Sequence, residues 1–194
     1  MFQILNKFNE RTNNKYSMVQ ILNTYMAFVE AIIPWTPKLA AEYDEIQLYG
    51  AIDSLTYEYL ILSLYELGGV SLLKSTAEIL DRASVELVFL GKNEFSFNLT
   101  NGVTFSALTP GDRLAVLNIL KQQEISSYDN PMSADNYVVD VLIKLTMMGY
   151  YSEWYGYGLT RLDEANQRVL EFQPISWEQV GYPGPATGNR GAYE

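Results

Sequence analysis

Apolar residues recur at the spacing of an α-helix through most of this chain, and proline and glycine interrupt the pattern at definite points. Val19, Leu22, Met26, Val29 and Ile33 fall on one helical face, so residues 18 to 33 read as an amphipathic helix with Ser17 as N-cap. Pro34 and Pro37 stop the helix or turn the chain. Lys38 to Gln47 reads as a short helical piece, interrupted by Leu48-Tyr49-Gly50. From Ala51, the stripe Ile52, Leu55, Tyr59, Leu62 and Tyr65 predicts a second helix to about Leu67, ended by Gly68-Gly69. Leu72, Leu73, Ile79, Leu80, Ala83, Leu87 and Val88 predict a third long helix, closed by Gly91. Thr109-Pro110-Gly111-Asp112 has the form of a helix start: a capping Thr, Pro at the first helical position, an acid in the first turn. Leu114, Leu117 and Leu120 supply its expected buried face. Val138, Val139, Leu142, Leu145 and Met148 predict a helix ending at Gly149. An aromatic loop follows from Tyr150 to Gly158, and Leu159 to Phe172 reads as the last helix.

In one place the period changes to two. Phe95, Phe97 and Leu99 alternate with polar residues, and Val103 and Phe105 do so after Asn101-Gly102. This predicts a β-hairpin over about 95–105. A three-residue loop at Thr100-Asn101-Gly102, with Gly102 left-handed, puts the apolar rows on one face. The expected fold is therefore mainly α: a single-domain helical bundle with one small hairpin. A polar N-terminal arm (1–15) would precede the domain (16–194), which includes an irregular Pro/Gly-rich C-terminal docking segment (173–194).

Composition narrows the chemistry. The chain of 194 residues contains neither Cys nor His. That removes Cys/His zinc sites, Ser-His-Asp and Cys-His nucleophiles, and haem or iron–sulfur ligation by the usual Cys and His ligands. No catalytic residue, cofactor site or metal site is expected in this chain. The net charge of −10 repels phosphate backbones and anionic membranes, so neither nucleic acid nor a lipid surface is an expected partner. No apolar run reaches transmembrane length. Met1 to Lys15 lacks an apolar export core and a twin arginine, so the expected location is cytoplasmic.

Two features remain. Glu30, Asp53, Glu58, Glu66 and Glu78 lie near apolar helix faces, and a facing pair of carboxylates could serve a hydrolase. With 23 acids in the chain, solvated faces and helix N-terminal charges account for them more simply. The other feature is aromatic. Among the 15 tyrosines are an early cluster (Tyr43, Tyr49, Tyr57, Tyr59, Tyr65), read as core, and a later one running from Tyr150 to Tyr157 with Trp154, read as interface. The chain closes on Trp177-Glu-Gln-Val-Gly-Tyr-Pro-Gly-Pro-Ala186, a stretch expected to be non-helical. Large aromatics suit a shaped loop lying against another molecule better than a frayed tail. The candidate partner-binding residues are Tyr150, Tyr151, Trp154, Trp177, Tyr182, Pro183, Gly184 and Pro185.

Several of these pieces, taken in order, resemble the gluconate 2-dehydrogenase subunit 3 family. They are Ala31-Ile-Ile-Pro34 with Thr36; Gly50-Ala51 with Asp53; and Phe105-Ser-Ala-Leu-Thr109 with Arg113 and Leu117. They continue with Leu145-Thr146, Gly149-Tyr-Tyr151 and the closing Trp177 to Pro185. The resemblance implies a small subunit without a cofactor of its own. Such a subunit binds a large FAD-dependent sugar or alcohol dehydrogenase of the glucose–methanol–choline class, often with a c-type cytochrome subunit. A stand-alone sugar-binding protein or carboxylate-based hydrolase is the alternative, and a homo-oligomer using the same aromatic surface is a third reading.

Overall fold

A computed structural model describes residues 17–94, 102–126 and 138–185. Six helices are present among them: α1 (Met18–Ile32), α2 (Pro37–Glu42), α3 (Thr56–Phe89), α4 (Pro110–Ser126), α5 (Val138–Tyr151) and α6 (Ile175–Gln179). Short 3-10 stretches occur at Glu45–Leu48, Phe105–Ala107 and Tyr155–Leu162. None of the described helices is long and apolar enough to cross a membrane. The proposed N-terminal arm and residues 186–194 lie outside the described residues.

Helix α1 starts where the sequence indicates. Ser17 Oγ accepts from Gln20 N–H (3.2 Å) and Gln20 Oε1 accepts from Ser17 N–H (2.8 Å), a reciprocal capping box. Its inner face, Ile21, Tyr25 and Phe28, is fully buried against α3 and α4. Tyr25 enters the core with its hydroxyl satisfied, donating to Leu73 O at 2.9 Å.

The long helix α3 is the spine, contacting α1, α4 and α5. It buries Leu60, Ile61, Leu64, Leu73, Leu80 and Leu87. It starts at Thr56, not Ala51, because Leu55 adopts a left-handed conformation (φ 54°) and residues 51–55 form turns. Gly68-Gly69 breaks it as expected. Gly69 has φ 65° and ψ −163°, a combination open to glycine, so the axis bends there. Gly91, with φ 64°, follows the helix end.

The remaining expectations fare unevenly. Thr109 caps α4, its Oγ1 accepting from Asp112 N–H at 3.2 Å. The inner face of α4 keeps the expected Leu117 and, partly buried, Leu120, but turns away from Leu114. Asp112, Arg113, Val116 and Leu117 are buried, whereas Leu114 is exposed. Two bonds set that rotation: Asp112 Oδ1 accepts from Glu94 N–H (2.9 Å) and Arg113 pairs with Glu30 (2.5 Å). Helix α5 does not stop at Gly149 but runs through to Tyr151. Gly149 instead leaves room for the Tyr59 ring of α3, since a methyl there would lie 2.5 Å from Tyr59 Cδ1.

The hairpin is not seen among the described residues; 95–101 lie outside them. Gly102 is left-handed (φ 74°), but no strand follows. Phe105 opens a 3-10 turn instead. Its N–H is taken by the Asp81 carboxylate (2.8 Å) and its ring is fully buried near Phe28, so no ladder forms there. The expected helix over Leu159–Phe172 is absent as well. Gly158 leaves helical geometry (φ 51°), and the peptide groups that follow bond across the loop. Glu171 Oε1 accepts from Leu159 N–H (3.1 Å), Thr160 Oγ1 from Val169 N–H (3.0 Å), and Gly156 O from Glu171 N–H (2.8 Å). Val169 and Leu170 are exposed, so a helix there would have had no buried face to support it.

Candidate functional site

The C-terminal segment is a built structure fastened to the end of α5. Pro174 precedes α6, and Ile175–Gln179 is helical, contrary to the expectation for Trp177-Glu178-Gln179. One turn of helix fits there because Pro183 and Pro185 come only after Gly181 has turned the chain with φ 66°.

Three aromatic candidates are fixing points rather than surface. Trp177 is buried, and its Nε1–H donates to Tyr151 O at 2.9 Å. Tyr150 is buried, with its hydroxyl bonded to Gln179 Oε1 (2.5 Å) and to Tyr49 O (3.2 Å). Trp154 is buried, packs edge-on against Tyr59, and donates from Nε1 to Leu55 O at 3.1 Å. The last bond fixes from the far side of the chain the carbonyl of Leu55, the left-handed residue just before α3.

The remaining candidates form an outer edge. Tyr151, Tyr182, Pro183 and Pro185 are exposed and Gly184 is half-buried. Tyr182 stands edge-on to the Trp177 ring at 5.0 Å, and its N–H donates to Trp177 O at 2.8 Å. Its carbonyl accepts from Gln173 Nε2 (3.0 Å). Gly184 lies against the Trp177 ring, where a methyl would be 3.3 Å from Cζ3. The segment through Pro185 thus wraps its own tryptophan and offers Tyr182 and the prolines outward.

Sequence reasoning passed over the residue that joins this segment to the body. Gln179 accepts from Tyr150 and donates through Nε2 to Ile46 O and Tyr49 O, both at 2.9 Å. Gln47 Nε2 returns a bond to Gln179 O at 3.0 Å. A lone glutamine beside Glu178 carries no periodic signal, so only the tertiary contacts identify it. Tyr43, read as core, is among the most exposed tyrosines described (72%), because α2 buries no residue.

The acidic candidates are largely engaged. Glu58 is buried and bound by Arg161 Nε (2.8 Å), while Arg161 Nη1 donates to Gly158 O (2.5 Å). Glu30 is paired with Arg113 (2.5 Å) at a cleft of about 360 Å³ that also involves Met26, Ile52 and Ser106. Asp53 Oδ2 accepts from Gly50 N–H (2.8 Å) and closes a turn. Glu66 is exposed. Glu78 lies with Asp81 and Arg82 in a second cleft of about 530 Å³. Neither cleft is lined by Trp or Tyr among the described residues, which also hold no cluster of acids arranged to bind a metal.

Burial shifts several phenols upward. The Tyr150 hydroxyl is pushed up to about 12 by burial, with the Gln179 hydrogen bond working the other way. Tyr57 is raised by burial and then by the Glu58 charge, against a lowering from Arg161, and Tyr25 is raised by burial. A folded-state value above the unfolded one gives stability that is complete below the unfolded pKa of about 10 and disappears as pH rises through the folded value. The stability of this chain is therefore expected to fall steeply above about pH 10. Phenolate absorbance should rise together with loss of helix; ionisation of all tyrosines in a chain that keeps its helix would contradict this.

Comparison with protein-family models, with curated proteins and with solved structures found no match for this chain.

Proposed function

We propose that this chain is a non-catalytic accessory subunit that binds and stabilises a flavin-dependent sugar or alcohol dehydrogenase of the glucose–methanol–choline class. The reading rests on the ordered set of residues from Ala31 to Pro185 that resembles the small subunits of such enzymes. The observation that carries it is the C-terminal segment. Buried Trp177 and Tyr150 hold it rigid, and Tyr182, Pro183 and Pro185 face outward. A rigid aromatic and proline edge loses little conformational freedom on docking, which favours tight association. FAD and the catalytic base would belong to the large subunit, and a c-type cytochrome subunit is a further expected member of the complex. The supply of electrophiles, bases and redox groups would then come from partners, in keeping with a chain devoid of His and Cys.

The test is affinity purification of the tagged chain from its own host under gentle conditions. A large protein with the visible absorbance of an oxidised flavin is expected to elute with it. Elution of the chain alone, in repeated low-salt preparations, would remove the reading.

A further inference from the structure

Between the end of α1 and the buried Gly50, no residue is buried. Helix α2 and the 3-10 turn Glu45–Leu48 bury none of their residues. Hydrogen bonds hold them instead. Thr36 donates from its N–H to Leu48 O (3.1 Å) and from Oγ1 to Gln47 O (2.5 Å), and the bonds of Gln47 and Ile46 with Gln179 tie the stretch to α6. Meanwhile three large apolar side chains within it face solvent: Trp35 (59% exposed), Leu39 (43%) and Tyr43 (72%). Leu39 lies in α2 and Tyr43 directly follows it, its N–H donating to Leu39 O at 2.9 Å.

Ordering a helical stretch costs conformational entropy that burial of its apolar face ordinarily offsets. Here the apolar groups are directed away from the chain's own core. Large apolar side chains left exposed close together in the chain, with charged residues between and after them, suit an interaction surface. Those charged residues are mostly acidic: Glu42, Asp44 and Glu45 are exposed, and Lys38 is the one cation in residues 35–48.

We propose that residues 35–48 form a docking flap for a folded protein whose contacting surface is an apolar hollow rimmed by Lys and Arg. The inference rests on the accessory-subunit reading for the identity of that protein as the flavoprotein, but its location follows from the flap itself. The charge pattern selects the occupant. A second copy would set the same acids against each other in a chain of net charge −10, and an anionic bilayer would be repelled likewise. A basic rim is steered toward the flap and pairs with it. The flap adjoins the C-terminal edge through Gln179, so one partner can cover both.

The test uses the flavoprotein complex obtained by gentle affinity purification. Its dissociation constant is measured for wild type, W35A/Y43A, E42K/E45K, and F89S as a control at another exposed apolar position. Truncating two interfacial aromatics is expected to weaken binding about 30-fold or more. The charge reversal should weaken binding about 10-fold at low salt and remove most of its salt dependence. Phe89→Ser should bind as wild type. All the altered side chains are exposed, so the variants should keep the wild-type helix content and unfolding midpoint. If the complex forms and all four proteins bind alike, the flap is overturned and the accessory role stands. If no flavoprotein associates, both fall. Self-association of the wild type that W35A/Y43A abolishes would make the occupant a second copy and overturn the proposal.

Discussion

Replacing Trp177 by alanine is expected to lower the stability of the chain by about 3–5 kcal/mol, the usual cost of removing a buried indole. The ring is 5% exposed, packs edge-on with Tyr182, is covered by Gly184, and donates to Tyr151 O. Its removal leaves a cavity and an unpaired carbonyl, and it frees the segment that carries Tyr182 and the prolines. Trp177→Phe keeps most of the packing and loses the N–H donor, so it should cost about 1 kcal/mol. Urea denaturation monitored by circular dichroism gives both values. A loss below about 1 kcal/mol for the alanine variant would show that the segment is not fastened through this ring.

The second large effect concerns charge. The Glu58 side chain is 5% exposed and Arg161 17%, and their 2.8 Å contact joins α3 to the Tyr155–Leu162 stretch. Arg161→Met removes the cation and leaves a buried carboxylate alone, which is expected to cost about 3–5 kcal/mol. The double variant Glu58→Met with Arg161→Met should recover most of that loss, because no uncompensated charge remains. A double variant as unstable as the single one would place the importance of Arg161 in its bond to Gly158 O rather than in the ion pair. Equilibrium denaturation of the three proteins decides between these outcomes.

Both effects lie in the part of the chain that sequence pattern described least well. Where structure is local, the residues announce it. Ser17 with Gln20, Thr109 before Pro110, and Gly68-Gly69 each act within a turn or two, and each is found acting there. Between Tyr150 and Pro185 the decisive contacts span long separations. Trp154 reaches Leu55, Arg161 reaches Glu58, and Gln179 reaches Ile46 and Tyr49. Such contacts have no period. The same holds for Asp81, whose carboxylate takes the Phe105 N–H and turns an expected strand into a 3-10 turn. Of the candidate docking residues, composition picked out an aromatic, proline-rich end but could not separate buried rings from exposed ones. Trp177 and Tyr182 differ in role because one lies under the turn at Gly181 and the other beyond it. Tyr43, expected in the core, is exposed, as is Trp35, because an isolated aromatic beside a proline-bounded helix carries no signal of which side it takes.

We propose that this polypeptide serves a larger flavoprotein by holding it rather than by doing chemistry. The most direct measurement is the thermal unfolding midpoint of that flavoprotein, followed by release of its flavin, with and without this chain. A ligand that binds only the folded state raises stability by about 2.7 kcal/mol at a concentration one hundred times its Kd, so a clear upward shift that grows with added chain is the predicted result. A midpoint that does not move at saturating chain, or sugar or alcohol turnover by this chain alone and free of flavin, would contradict it.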